Sequence, residues 1–212
     1  PFIDFGQMPI ANAFSPAEDI KAEYTFLMQV GFCSNCNMVQ LVEQPDREKM
    51  FHENYAFFSS TSSYMREHFK KFSKSITILQ DLSKTSFVIE LGCNDGILLE
   101  NFINYDIPCL GIEPSKNVAD VAVSKGIEVI NKFFDEDLAE NILKNHKKAD
   151  AILSANVICH IPYMHSIFGG IKKLLNDTGI FVFEDPYLGE IIEKTSFDQI
   201  YDEHVFLFSA LS

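Results

Sequence analysis

The sequence predicts an α/β chain: a mostly parallel, doubly wound sheet preceded by a small β appendage and a helical bridge. Three observations carry this. From residue 85 onward, short apolar runs alternate with helical segments, the pattern of a parallel sheet. Between residues 51 and 84, Met65, Phe69, Phe72, Ile76 and Leu79 recur at steps of three and four, the period of an amphipathic helix. Before residue 50 the chain alternates in short stretches around "CSNC".

The appendage spans residues 1–50, with strands expected at Tyr24–Val30 and Met38–Val42 flanking that turn. The bridge, residues 51–84, reads as helical from "DREKMFHENY" onward. In residues 85–212, strands are expected at Phe87–Leu91, Cys109–Ile112, Glu128–Ile130, Ala151–Ser154 and Gly179–Glu184. Helices are expected between them at Gly96–Asn104, Ser115–Lys125, Asp137–Lys144 and Pro162–Leu175, which makes the domain Rossmann-like.

Composition limits the partners. With 212 residues, 47% hydrophobic content and 20 Phe, the chain can bury a sizeable core. A formal charge of −13 repels phosphodiester backbones and argues against nucleic acid as the main partner. There is no apolar run of membrane-spanning length, so no membrane partner is expected. Five cysteines, an odd number without a signal-peptide pattern, suggest a reducing, cytoplasmic setting. Pro1 stands where a Met would begin a chain, so a preceding piece is expected.

The chemistry-bearing stretch is "FVIELGCNDGILL". Glu90 closes a strand, and Gly92 and Gly96 sit in the turn where backbone passes close to a ligand. A dinucleotide pyrophosphate calls for G-x-G-x-x-G, but Asn94 stands at the second glycine position, and Glu90 and Asp95 would repel a pyrophosphate. The same carboxylates suit the ammonium and sulfonium of S-adenosylmethionine. Glu113, at the tip of the next strand, can take both ribose hydroxyls. After the third strand Asn131, Phe133 or Phe134 could flank an adenine, and Asn156 ends the fourth near the methionine portion. Together these predict a class I methyltransferase fold and that cofactor.

"ELGCNDGILL", "ANVICHIPY", "FVFEDPYLGEIIEKTSFDQIYDEHVFLFS" and "MFHENYAFFSSTSSYMREHF" together resemble the sugar C-methyltransferases of deoxysugar biosynthesis, over nearly the whole chain. The resemblance implies an S-adenosylmethionine-dependent methylation at carbon 3 of a nucleotide-linked 4-keto-6-deoxy sugar, its partner substrate, through an enolate. It also implies an N-terminal zinc-binding domain and a C-terminal domain, so this chain is expected to begin inside the first and stop before the second. Cys33 and Cys36 have zinc-knuckle spacing, and a second pair supplying a structural Zn2+ would precede Pro1. The family's site positions match Tyr201, Glu203 and His204, with Tyr55 from the bridge. His204 can titrate near neutrality and act as base, and Glu203 can orient it or share the work. If helical, "IYDEH" puts Tyr201 and His204 on one face; if extended, it pairs Asp202 with His204. Arg66 could receive the diphosphate or face solvent; His160 could serve the site or the core; Cys93, Cys109 and Cys159 read as small apolar residues. Two other readings stand beside this one: an O- or N-methyltransferase for another small molecule, and a non-catalytic cofactor-binding scaffold.

Overall fold

The computed structural model describes residues 1–14, 16–18 and 22–212. The chain runs β1 (Ile3–Pro9), β2 (Thr25–Phe32), β3 (Val39–Leu41), α1 (Arg47–Met50), α2 (Ser63–Leu79), β4 (Val88–Leu91), α3 (Leu99–Ile103), β5 (Cys109–Ile112), α4 (Lys116–Ser124), β6 (Glu128–Ile130), α5 (Glu136–Ile142), β7 (Ala149–Ala155), α6 (Met164–Leu174), β8 (Leu175–Glu184), α7 (Leu188–Lys194) and β9 (Phe206–Leu207). It divides into two compact units: Pro1–Ala56 with Asn156–Pro162 and Glu184–Ser212, and Phe57–Ala155 with Tyr163–Phe183.

The second unit holds a five-stranded sheet ordered β6-β5-β4-β7-β8. Pairings of β4 with β5, β4 with β7 and β5 with β6 are all parallel. Strand β4 is buried at every position, as a central strand covered on both faces must be, and its all-apolar run apart from Glu90 follows from that. The core around it includes Phe69, Ile76, Val88, Leu98, Leu99, Phe102, Ile107 and Leu153. Helix α2 begins where Ser62 Oγ accepts from Met65 N at 3.2 Å, and it buries Phe69, Ser73 and Ile76, one stripe of its surface. Helix α5 is capped by Asp135, whose Oδ1 accepts from Leu138 N at 2.7 Å, with Glu136 and Asp137 in the first turn beside the positive end of the dipole.

The first unit holds an antiparallel sheet ordered β1-β2-β3-β9. Alternation in β2 turns Phe26, Met28 and Val30 inward, and they pack with Leu41, Met50, Ile191 and Leu207. A bulge interrupts β1 between Asp4 and Gln7, where Gly6 takes φ +73° and its N–H bonds to Asp4 Oδ1. The apolar run after "IYDEH" forms β9, which pairs with β3 through Val39–Leu207 and Gln40–Phe206.

The helical expectation fails over residues 51–58. Helix α1 ends at Met50, and the chain runs irregularly to a short 3-10 turn at Ser59–Thr61. Here His52 Nδ1 accepts from Asn54 N at 3.1 Å, a local side-chain bond that competes with continuing the helix.

Gly96 shows the tightest backbone approach in the larger unit. It has φ +78°, and a Cβ there would lie 2.3 Å from Ile127 Cδ1 and 3.1 Å from Ala122 Cβ. Gly96→Ala should therefore destabilise the protein by about 2 kcal/mol or more, from left-handed strain plus overpacking. Urea unfolding checks this; a loss under about 0.5 kcal/mol would mean the turn relaxes freely.

Candidate functional site

In the larger unit, the carboxyl ends of β4 and β5 carry the first group of predicted residues. Gly92, at φ +67°, follows β4 and donates from N to Ile112 O at 2.7 Å. Glu113 ends β5 and is 5% exposed; its Oε2 accepts from Asn94 N at 2.9 Å and its Oε1 from Ser115 N at 2.8 Å. Burial still dominates over those bonds and pushes this carboxyl up to about 7. Glu90 is 3% exposed, and Oε2 has no partner among the described residues. Burial, then the nearby Glu113 and Asp95 carboxylates, raises it far above the carboxylate range. Ser154, which pairs in register with Leu91 at the end of β7, also has a buried Oγ without a partner there. These are unmet acceptors and donors beside clustered carboxyls, and a cationic, hydrogen-bonding ligand would satisfy both.

Several predicted residues are engaged by the protein itself. Asn94, at φ +47°, accepts on Oδ1 from Ser59 N and donates from Nδ2 to Phe57 O, each at 3.0 Å. Asp95 Oδ2 accepts from Ser60 N and Ser60 Oγ at 2.9 and 2.5 Å, so the two side chains clamp the segment before α2. Arg66 is exposed and donates to Ser60 O. Asn131 Nδ2 donates to the Glu113 and Pro114 carbonyls, both at 2.8 Å. Phe134 is buried beneath Gly170, where a Cβ would meet its ring at 2.9 Å, which makes it a packing residue. Phe133, by contrast, is half-buried.

In the smaller unit, Tyr201–His204 form neither a helix nor a strand. They make a turn, closed by His204 N to Tyr201 O at 3.2 Å, which sets the two rings edge to face at 4.4 Å between centroids. Glu203 is 1% exposed; it accepts from Asn12 Nδ2 at 2.6 Å, Tyr55 OH at 3.0 Å and Tyr201 OH at 3.4 Å. Burial nevertheless raises its pKa. It does not bond to His204, whose Nδ1 lies 2.7 Å from Gln199 O. That carbonyl requires a proton on Nδ1, which leaves Nε2 with the lone pair. Burial lowers the His204 pKa, so the ring is a neutral base. The neighbouring His160 ring lies 5.3 Å from it on one side and 5.6 Å from Phe51 on the other, and burial then His204 push it down to about 3.

Asn12 and Asp185 were not singled out from the sequence. Asp185 accepts from Val157 N and Cys159 N, both at 3.1 Å, and burial raises it to about 6. It lies within "EDPYLG", a block quoted for its resemblance but given no role; Asn12 had no signal. Asn156, at φ +54° and exposed, donates from N to Glu184 O at 2.7 Å. Cys159, read as a small apolar residue, instead places its sulfur within 4.8 Å of a nitrogen of each of His160 and His204. Cys33 and Cys36 lie in the β2–β3 turn, where backbone N–H of Cys36 and Asn35 draw the Cys33 thiol pKa down, as suits a metal thiolate. A structural zinc takes four donors; Cys33 and Cys36 could provide two, and among the described residues they belong to no group of three possible ligands.

Residues 62–212 match the family model described as "Methyltransferase domain". The chain belongs to the methyltransferase-domain family. Residues 1–51 match a model described as "Putative zinc binding domain". The chain is 30% identical over 208 residues to C-methyltransferase NovU of Streptomyces niveus, covering 98% of this chain and 49% of that protein. It is 29% identical over 99 residues to a ubiquinone biosynthesis O-methyltransferase of Glaesserella parasuis, covering 44% and 42% respectively. The chain thus spans about half the length of these relatives. By fold it is similar to the PH0226 protein of Pyrococcus horikoshii (TM-score 0.52, 17% identity, 66% of this chain and 62% of that one). The plantazolicin methyltransferase BpumL, solved in complex with a pentazolic desmethylPZN analog and SAH, gives TM-score 0.52 at 16% identity over 68% of this chain and 59% of that one. Among the described residues no helix is long and apolar enough to cross a membrane.

The Glu113 carboxyl sets a pH dependence. Its pKa is raised on folding, so its contribution is fully present below about 4.5 and fades as pH rises through about 7. From pH 5 to 8 the protein should lose about 2.5 kcal/mol of stability through this group, and Glu113→Gln should flatten that part of the slope. Urea unfolding of both proteins at several pH values reads the difference; parallel slopes would overturn it.

Proposed function

We propose that the protein is an S-adenosylmethionine-dependent C-methyltransferase that methylates carbon 3 of a nucleotide-linked 4-keto-6-deoxy sugar. The observation that carries it is the His204 imidazole: buried, neutral, fixed by Gln199 O on one nitrogen and basic on the other. Methylation at carbon needs such a base, because the proton must leave carbon before carbon can attack. The relationship to a C-methyltransferase over 98% of the chain supports the same reaction.

The roles divide by chemistry. Glu113 takes the ribose hydroxyls of the cofactor, and Glu90 faces its cationic end. Gly92 and Gly96 set the turn, and Phe133 covers the adenine. Asn94 and Phe134 act one step back, by holding segment 57–60 and packing under Gly170. Asn156 lies at the β7 turn toward the methionine portion. When bound, the cofactor supplies an electrophilic methyl. His204 Nε2 removes the proton from carbon 3, and the sugar carbonyl oxygen takes up the developing charge. Tyr55 and Tyr201 donate to Glu203 and are thereby oriented with their remaining oxygen lone pairs outward from that bond. Glu203 is therefore a positioning residue, and His160 walls the base on one side. Arg66 has N–H groups beyond its bond to Ser60 O for a diphosphate. Cys33 and Cys36 belong to a structural zinc site.

The test uses the full-length protein and a panel of nucleotide 4-keto sugars. Exchange of the carbon-3 proton followed by NMR should proceed without cofactor, and His204→Asn should slow it by about 10²- to 10⁴-fold. Calorimetry should show S-adenosylmethionine binding retained in that variant and no binding of a pyridine nucleotide. Unchanged exchange in His204→Asn would remove the base assignment; a hydroxyl-methylated product with a small His204 effect would favour the O-methyltransferase reading.

A further inference from the structure

Three side chains in the smaller unit, Cys159, His160 and His204, form a cluster that the proposed reaction uses only in part. Each offers one donor atom, and the three atoms lie within 4.8 Å of one another. His160 Nε2 is buried with no hydrogen-bond partner among the described residues. His204 can present only Nε2, because Nδ1 faces Gln199 O. A backbone carbonyl on the far nitrogen is how metal-ligating histidines are commonly fixed.

We infer that Cys159 Sγ, His160 Nε2 and His204 Nε2 form a binding site for a borderline-soft divalent ion of the Zn2+ class, and that its occupation inhibits the enzyme. One sulfur with two imidazoles is a donor set zinc accepts, with the fourth position open to water. Zinc bonds of ~2.0–2.3 Å at tetrahedral angles place donors ~3.4–3.6 Å apart, so the cluster contracts by about 1 Å on binding. The two imidazoles are stacked, with centroids 5.3 Å apart and planes 27° from parallel, so binding requires the rings to turn until both Nε2 lone pairs meet at one ion. Burial and a hydrogen bond to Asp185 hold the Cys159 thiol protonated, so on binding that hydrogen bond and the S–H bond both break, and the proton passes by way of the Asp185 carboxylate to solvent. The thiolate pair and two imidazole lone pairs form the bonds to the metal, and nothing is oxidised or reduced. Inhibition follows because the lone pair that would take the carbon-3 proton is then in a metal bond. That consequence rests on the proposed role of His204, whereas the binding itself does not.

The experiment is a Co2+ titration of the intact protein followed by absorbance, with Zn2+ as competitor. A thiolate-to-Co2+ charge-transfer band should appear, be displaced by Zn2+, and be absent in Cys159→Ser; Cys159→Ala is the second variant. Thiols at positions 33 and 36 are the same in all three proteins and cancel in the difference spectrum. Zn2+ should also inhibit methyl transfer, and loss of the Cys159 thiolate should raise the half-inhibiting concentration about tenfold or more. An unchanged spectrum in both variants overturns the site. A Cys159-dependent band without Cys159-dependent inhibition keeps the site and overturns its effect on the reaction.

Discussion

Glu203 is a nearly fully buried carboxylate, and the acid–base cluster is organised around its demand for donors. An unpaired buried carboxylate would cost several kcal/mol or be forced to protonate. The three donors come from Asn12, Tyr55 and Tyr201, the first two separated from it by 191 and 148 residues. Meeting that demand draws the beginning of the chain, the segment after α1 and the turn after α7 into one unit. The short β3–β9 pairing, two residues long, fixes the same turn from its other end. By contrast, the His204 imidazole is held through backbone: Gln199 O, five residues before it, sets its tautomer without drawing on the carboxylate.

The same rule works differently at the sheet edge. Glu113 satisfies its oxygens with backbone N–H groups of its own turn and of the loop after β4, while Glu90 is left with an unmet oxygen. Both are pushed toward the neutral form by burial. Such a pair is stable when protonated and becomes favourable as carboxylates when a cation arrives, which is the electrostatics that the proposed methyl donor supplies. Asn94 and Asp95, which the glycine-turn pattern marks as ligand-facing, are structural clamps on residues 57–60. A turn rich in polar residues beside a ligand also has to hold its own loops.

The sheet was legible because its signals are local. Strands β5 and β6 fall on their expected residues, and β4, β7 and β8 differ only at their ends, since an apolar run bounded by turn residues states a buried strand directly. The placement of Glu90 and Glu113 at the ends of β4 and β5 was legible for the same reason. The break at residues 51–58 was not, because the apolar spacing of "MFHENYAFF" fits a helix, and only a local turn held by His52 ends it. Phe133 and Phe134 are adjacent and alike in sequence; Gly170 on another helix decides which is buried.

By itself, then, the sequence determined the doubly wound sheet and the glycine turn with its strand-end carboxylates, because strand period and turn residues are properties of a few neighbouring residues. Only the tertiary structure decided that "IYDEH" is a turn, that Glu203 serves two tyrosines and Asn12 and not the histidine, and that Cys159 joins His160 and His204. The partners of Glu203 at Asn12 and Tyr55, and the meeting of His204 with Cys159 and His160, join residues far apart in the chain; they are set by how buried polar groups find partners, and no local pattern encodes them.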